Sequence, residues 1–342
     1  METVQLGSTG LTVNRNGFGA LPIQRINCEA AVRLLHKAYD NGIQLYDTAR
    51  SYSDSEEKIG TAFAPAMRQR VVISTKTTAK NCQAFWDDLH ASLRLMRTDY
   101  IDIYQFHTPA FCPKPDDPSG LYDAACLARE QGKIRHIGIT NHRLKVAAEA
   151  VASGLYQTLQ FPFSYLADEQ DHALVKACQE KGMGFIAMKA LAGGLIRHAA
   201  AAYAFLAQFS HVVPIWGIQH EWELDEFLAC QAAPPILDGA LQAVIDRDRK
   251  ELCGDFCRSC GYCMPCPQDI QINQCARIGL LIRRAPSAYW LSEEWQAQVR
   301  KIDNCQECGL CRSRCPYGLD TPALLRKNYA DYWALLAANA PQ

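Results

Sequence analysis

Short apolar runs alternate with longer segments whose apolar residues recur at helical spacing. The runs are Asn16 to Ala20, Ile43 to Tyr46, Val71 to Thr75, Ile101 to Phe106, His136 to Thr140, Thr158-Leu159, Gly184 to Met188 and Val212 to Trp216. Between them, Ala30, Ala31, Leu34, Leu35, Ala38 and Tyr39 mark one helical face, with Asn27 as the expected N-cap and Asn41-Gly42 as the stop. Asp54 with Glu57 predicts a capping box opening the next helix, which Pro65 ends. Phe85, Leu89, Leu93 and Met96 stripe a third helix. Ahead of these units, Thr3 to Leu6 and Leu11 to Val13 flank Gly7-Ser8-Thr9-Gly10 and predict a hairpin plugging the barrel floor. Eight strand-then-helix units predict a (β/α)8 TIM barrel. The rival is a doubly wound sheet, but no Gly-x-Gly-x-x-Gly turn follows the first strand.

The strand ends carry the chemistry. The second run reaches Asp47, the third Lys76 and the fourth His107; later ones reach Asn141, Gln160, Lys189 and Gly217. Tyr52 follows Asp47 by five residues. A carboxylate ending a buried strand costs desolvation energy unless its charge meets a partner. In a parallel barrel these ends share one rim, so an acid, an amine, an imidazole and a phenol are expected in one small volume.

That set resembles the aldo/keto reductase family. The matching residues are Gly7-Ser8-Thr9-Gly10-Leu11, Asp47-Thr48-Ala49 with Tyr52, Lys76, His107, and Gly132-Lys133-Ile134-Arg135-His136-Ile137-Gly138 leading to Asn141. The resemblance runs from about Leu6 to about Leu228. It implies hydride transfer between a nicotinamide and a carbonyl or alcohol. Tyr52 is the expected proton donor, and a free phenol, with a pKa of about 10, is a poor one near neutrality. Lys76 is expected to lower that value, Asp47 to hold Lys76, and His107 to donate to the carbonyl oxygen. The plainer reading of Asp47 and Lys76 is a structural ion pair.

The same resemblance implies that Asn141 and Gln160 hold the carboxamide, the plainer reading being amides that hydrogen-bond a loop; Met188 and Lys189 are expected to flank the ring, and Gly193 and Gly194, with Gly217, to border the dinucleotide, since glycine permits close backbone approach. The plainer alternative for the glycines is a tight turn. After the last strand, Gly217 to Phe227 contains Glu221, Glu223, Asp225 and Glu226 and no Lys or Arg. A 2′-phosphate there would meet like charge, so NADH over NADPH, or weak nicotinamide binding altogether, is expected.

Composition narrows the class. The chain has 342 residues and a net charge of −1. There is no long basic run, so nucleic acid is not an expected partner. No long apolar stretch predicts a membrane span, and the first residues lack a signal-peptide profile, so a cytoplasmic protein is expected.

Six of the 16 cysteines are scattered and ten lie between Cys253 and Cys315. Cys257-x2-Cys260-x2-Cys263-x2-Cys266-Pro267 precedes Cys305-x2-Cys308-x2-Cys311-x3-Cys315-Pro316. The second run has the bacterial ferredoxin spacing, and the first is one residue short. The pair resembles two-cluster ferredoxins and a branch of aldo/keto reductases with a C-terminal ferredoxin-type domain. That resemblance implies two 4Fe–4S clusters, one on Cys257, Cys260, Cys263 and Cys315, the other on Cys305, Cys308, Cys311 and Cys266. Zinc is the alternative for such thiolates. Cys275 and Cys253 fall outside the pattern, Cys253 being a substitute ligand at most.

The expected organisation is a barrel over 1–232, a linker over 233–249 and an α-helical ferredoxin-like iron–sulfur domain over 250–342. Ser287 to Val299 and Ala323 to Ala338 are expected helices. The function expected is an oxidoreductase acting on a small carbonyl or alcohol, with a ferredoxin-like redox partner. The alternatives are an electron-transfer protein whose barrel has lost nicotinamide chemistry, or clusters that only staple a small domain.

Overall fold

A computed structural model describes residues 2–252, 254–284 and 287–338 of the chain. A short antiparallel hairpin comes first, β1 (Thr3–Gln5) and β2 (Thr12–Asn14), with Val4 opposite Val13. Eight parallel strands follow: β3 (Gly17–Gly19), β4 (Leu45–Asp47), β5 (Val72–Thr77), β6 (Ile101–His107), β7 (Ile134–Thr140), β8 (Thr158–Pro162), β9 (Gly184–Met188) and β10 (Val212–Gly217). They close in sequence order, with β10 pairing back onto β3. This is the expected (β/α)8 barrel.

The hairpin packs with the barrel's lower interior. Val4, Leu6 and Val13 share a buried apolar cluster with Leu45, Ile103, Ile186, Val213 and Ile215. Gly7, at φ +54°, bridges Met183, and a Cβ there would collide with the backbone of Gly182 to Gly184. Only glycine supplies both the left-handed backbone and the close approach.

Asn27 caps the helix Cys28–Asp40 by accepting from the Ala30 N–H, and Asn41 and Gly42 (φ +84°) end it. The helix Ser55–Phe63 departs from expectation. Asp54 makes no cap bond, because its carboxylate pairs with Lys58 at 2.8 Å. An ion pair one turn along outcompetes the N–H groups of the first turn.

The chain forms two compact units, Met1–Ala190 with Ala199–Leu237, and Leu191–His198 with Asp238–Gln342. Part of the expected linker is the helix Gly239–Glu251, capped by Asp238. Residues 191–198 group with the second unit, apart from the barrel sequence on either side of them. The second unit is helical and has its own apolar core, including Ile270, Ile272, Ile278, Val299, Leu325 and Tyr332. The expected helix from Ser287 to Val299 is two helices, Ser287–Trp290 and Glu293–Arg300. Ser292 breaks it, because its hydroxyl caps the second segment by accepting from the Trp295 N–H. The last described helix is Thr321–Ala338. None of the described helices is long and apolar enough to cross a membrane.

Candidate active site and cysteine recesses

Strand alternation explains which side chains enter the barrel. Ser74 and Lys76 lie two apart on β5, as do Gln105 and His107 on β6, so each pair faces one side. Asp47 ends β4 opposite Ser74. The Lys76 ammonium donates to Asp47 Oδ2 at 2.6 Å and to the Thr48 carbonyl at 2.5 Å. Asp47 Oδ1 accepts from the Ser74 hydroxyl at 3.0 Å. Beneath this pair, Gln105 Nε2 donates to Ser74 Oγ at 2.7 Å and Gln160 Oε1 at 2.8 Å, and Gln160 Nε2 donates to Asp47 Oδ2 at 3.3 Å. The ion pair thus sits on a polar layer that fixes both carboxylate oxygens.

Tyr52 lies above it. Its ring centroid is 5.1 Å from the Lys76 ammonium and 5.8 Å from the His107 ring, edge-on. Burial raises the Tyr52 phenol above its ordinary value, while the Lys76 charge and its hydrogen bond pull the other way and Asp47 adds to the rise. Lys76 thus pulls the phenol down as expected, but desolvation outweighs it and the net shift is upward. The phenol stays protonated at neutral pH. His107 is pushed down to about 3, by burial first and by Lys76 second, so it is a neutral imidazole. Ser51 Oγ lies 3.4 Å from His107 Nδ1.

The loop carrying Tyr52 is tied at several points. Thr48 donates to Ser55 Oγ (2.8 Å), which donates to the Ala20 carbonyl (2.9 Å). Arg50 pairs with the buried Glu56 carboxylate at 2.5 Å, and Thr75 donates to its other oxygen at 2.7 Å. Sequence reading passed over Ser51, Ser74, Gln105 and Glu56. Gln105 alone carried a signal, as a polar residue inside the apolar run of β6.

Of the expected cofactor residues, Asn141 is fully buried, donates to the Pro109 carbonyl (2.9 Å) and accepts from the Arg143 N–H (2.9 Å). Gln160 belongs to the layer under Asp47. Met188 ends β9, where its sulfur accepts from Thr140 Oγ1 at 3.8 Å. Lys189 follows with φ +58°. Gly217 ends β10, pairs with Gly19 and faces Pro22. Gly193 and Gly194 lie in the second unit, where the Gly193 carbonyl accepts from Arg277 at 2.5 Å. The acidic stretch after β10 is not without cations: Lys37 pairs with Glu221 at 2.6 Å and Asp225 at 2.7 Å, and Arg25 approaches Gln219 at 3.5 Å.

A model of the aldo/keto reductase family matches residues 14–210. The chain belongs to that family. It is 28% identical over 218 residues to the aldo-keto reductase YhdN of Bacillus subtilis (strain 168), covering 57% of this chain and 64% of the relative. It is 26% identical to a protein of Escherichia coli (strain K12) named an NADH-specific methylglyoxal reductase, over 57% of this chain and 69% of that one. The chain thus spans about two thirds of these relatives, and less than that of the first. An aldo-keto reductase from Bacillus halodurans, solved in a holo form, shares the fold at a TM-score of 0.63 and 21% identity, covering 72% of this chain and 96% of that one.

Residues 256–320 match a 4Fe-4S dicluster domain. So this family member carries a ferredoxin-type domain after its barrel. The two cysteine runs repeat one backbone pattern. Ser259 and Gly261 have φ of +53° and +83°, and Glu307 and Gly309, at the same offsets, have +50° and +74°. Asp269 and Gly318, each three residues past the last cysteine of its run, have +52° and +64°. The runs surround two recesses. One, of about 440 Å³, is lined by Cys263, Cys266, Cys305, Cys308 and Cys311. The other, of about 340 Å³, is lined by Cys257, Cys260, Cys263 and Cys315. Each run thus sends its last cysteine to the other run's recess. Among the described residues no three His, Cys, Asp or Glu side chains close on a point that could hold a single metal ion. A recess ringed by four or five thiols fits a larger group, as a 4Fe–4S cluster is. Cys275 is fully buried in the apolar core; Cys253 lies outside the described residues.

Proposed function

We infer that the barrel reduces a small carbonyl compound with hydride from a nicotinamide and that the second unit holds two redox-active 4Fe–4S clusters. The observation that carries the first half is the Tyr52 ring 5.1 Å from an ammonium held by a buried carboxylate. A bound nicotinamide would supply the hydride. Tyr52 donates the proton as the carbonyl oxygen gains charge. Lys76 stabilises the phenolate left behind, and Asp47 holds Lys76 in place. His107, neutral, donates to the same oxygen and orients it; Ser51 at Nδ1 helps set its tautomer.

Asn141, Gln160, Met188, Lys189 and Gly217 are proposed to border the nicotinamide dinucleotide. NADH is the proposed cofactor, because the Lys37 charge is already taken up by Glu221 and Asp225. The name of the Escherichia coli relative is consistent with it.

The crossed cysteine sets Cys257, Cys260, Cys263, Cys315 and Cys305, Cys308, Cys311, Cys266 are the proposed ligands. Clusters of this type would supply one-electron transfer. The apolar core of the second unit disfavours a purely stapling role for them.

The test is anaerobic. Iron-loaded protein receives NADH or NADPH with a panel of aldehydes and ketones, while nicotinamide and cluster absorbance are followed together. Carbonyl-dependent nicotinamide oxidation that disappears in Tyr52→Phe is expected. Cluster reduction without carbonyl turnover would instead make the protein an electron carrier.

A further inference from the structure

Two arginines lie buried on one stretch of the second unit. Arg284 meets Asp248 at 2.7 Å and Glu251 at 2.5 Å, as a buried cation must. Arg277 is 3% exposed, yet among the described residues it has no ion pair with any carboxylate. Its guanidinium donates to the Gly193 carbonyl at 2.5 Å and the Ala192 carbonyl at 3.3 Å, and its Nε is buried with no partner. Burial lowers it only to about 10, with Cys257 opposing the fall, so it stays charged at neutral pH.

The turn that delivers Arg277 also carries a cysteine neighbour. Cys257 Sγ lies 3.7 Å from the Asn273 carbonyl, on the helical turn Ile272–Cys275, and the Arg277 N–H bonds Gln274 O at 3.0 Å just beyond. The recess lined by Cys257 is also lined by Arg258. The other recess is lined by Glu307, which pairs with Arg326 in an exposed bridge. The two recesses are therefore electrostatically unlike: one is lined by Arg258, with the Arg277 charge within electrostatic reach of its Cys257, and the other by a carboxylate that Arg326 meets.

We propose that Arg277 is the buried counter-cation of the cluster held by Cys257, Cys260, Cys263 and Cys315, so that this cluster accepts an electron before the one held by Cys266, Cys305, Cys308 and Cys311. A tetrathiolate cluster is anionic, and reduction adds one electron and one negative charge without making or breaking a bond. A fixed positive charge in a low-dielectric interior favours the more negative state. The proposal rests on the two-cluster reading.

The experiment is a dithionite titration of the anaerobically reconstituted full chain, followed by electron paramagnetic resonance. Two reduction steps are expected. Arg277→Gln should lower the equilibrium constant of the earlier step by about tenfold, which is about 59 mV for one electron, and leave the later step in place. Arg277→Lys should keep most of the wild-type value. Cys260→Ser should remove the earlier step and Cys308→Ser the later one, a readout that does not depend on how Arg277→Gln folds. Full iron content with an unmoved earlier step in Arg277→Gln, or the reverse assignment in the serine variants, would overturn the proposal. Iron and sulfide sufficient for one cluster only would overturn the two-cluster reading beneath it.

Discussion

The Lys76 ammonium lies 2.6 Å from Asp47 Oδ2, and both side chains are almost wholly removed from water. Neither charge is affordable there without the other. Asp47→Ala should therefore destabilise the protein by about 3–5 kcal/mol, since it strands a buried ammonium. Denaturant unfolding measures this. A loss below about 1 kcal/mol would mean that water reaches the pair.

Tyr52→Phe keeps the ring and removes only the proton. Turnover should fall by about 10²–10⁴-fold, the usual worth of a general acid, with the unfolding midpoint unchanged. Steady-state kinetics beside thermal unfolding separate the two. An unaltered kcat would remove Tyr52 from the chemistry.

The pH profile of reduction should be flat through neutrality. The acid must be protonated, and burial holds Tyr52 above its ordinary value of 10.0. His107 must be neutral, and its value of about 3 keeps it so. A rate that falls between about pH 6 and 8, where an unperturbed histidine titrates, would show that His107 is solvated.

His107 also links pH to stability. Its folded value is about 3 against an ordinary 6.5, so below pH 6.5 the unfolded chain binds a proton that the folded one refuses. Stability should thus drop as pH falls from 6.5 towards 3, with no effect of this group above 6.5. His107→Gln should show a shallower acid decline in urea midpoints than the parent. Parallel declines would contradict the assignment.

Glu56 holds Arg50 at 2.5 Å and Thr75 at 2.7 Å while fully buried itself. Glu56→Ala should cost about 2–3 kcal/mol, the scale of lost hydrogen bonds to a charged group. Because Arg50 lies two residues before Tyr52, kcat should fall more than KM rises.

Much of this was legible along the chain. Short apolar runs ending in Asp47, Lys76 and His107 announced both the barrel and its rim, because a buried strand tolerates a charge only at its end or against a partner. Asn27 announced its cap in the same local way. The misreadings came where two local options compete. Asp54 could cap or pair with Lys58, and Ser292 could ride inside a helix or begin one. Local spacing does not rank such options.

The order of residues by itself determined which groups exist and how far apart they stand on one strand or one loop. That is enough for the barrel, for the family and for two cysteine runs. Only the folded arrangement decided the sign of the Tyr52 shift, because desolvation and the Asp47–Lys76 distance are properties of packing. It also decided that Lys37 meets the acids after β10, that each run's last cysteine lines the other's recess, and that Arg277 is buried without a carboxylate partner among the described residues. Electrostatic energy depends on separation in space and on exclusion of water, and neither is written in the distance along a chain.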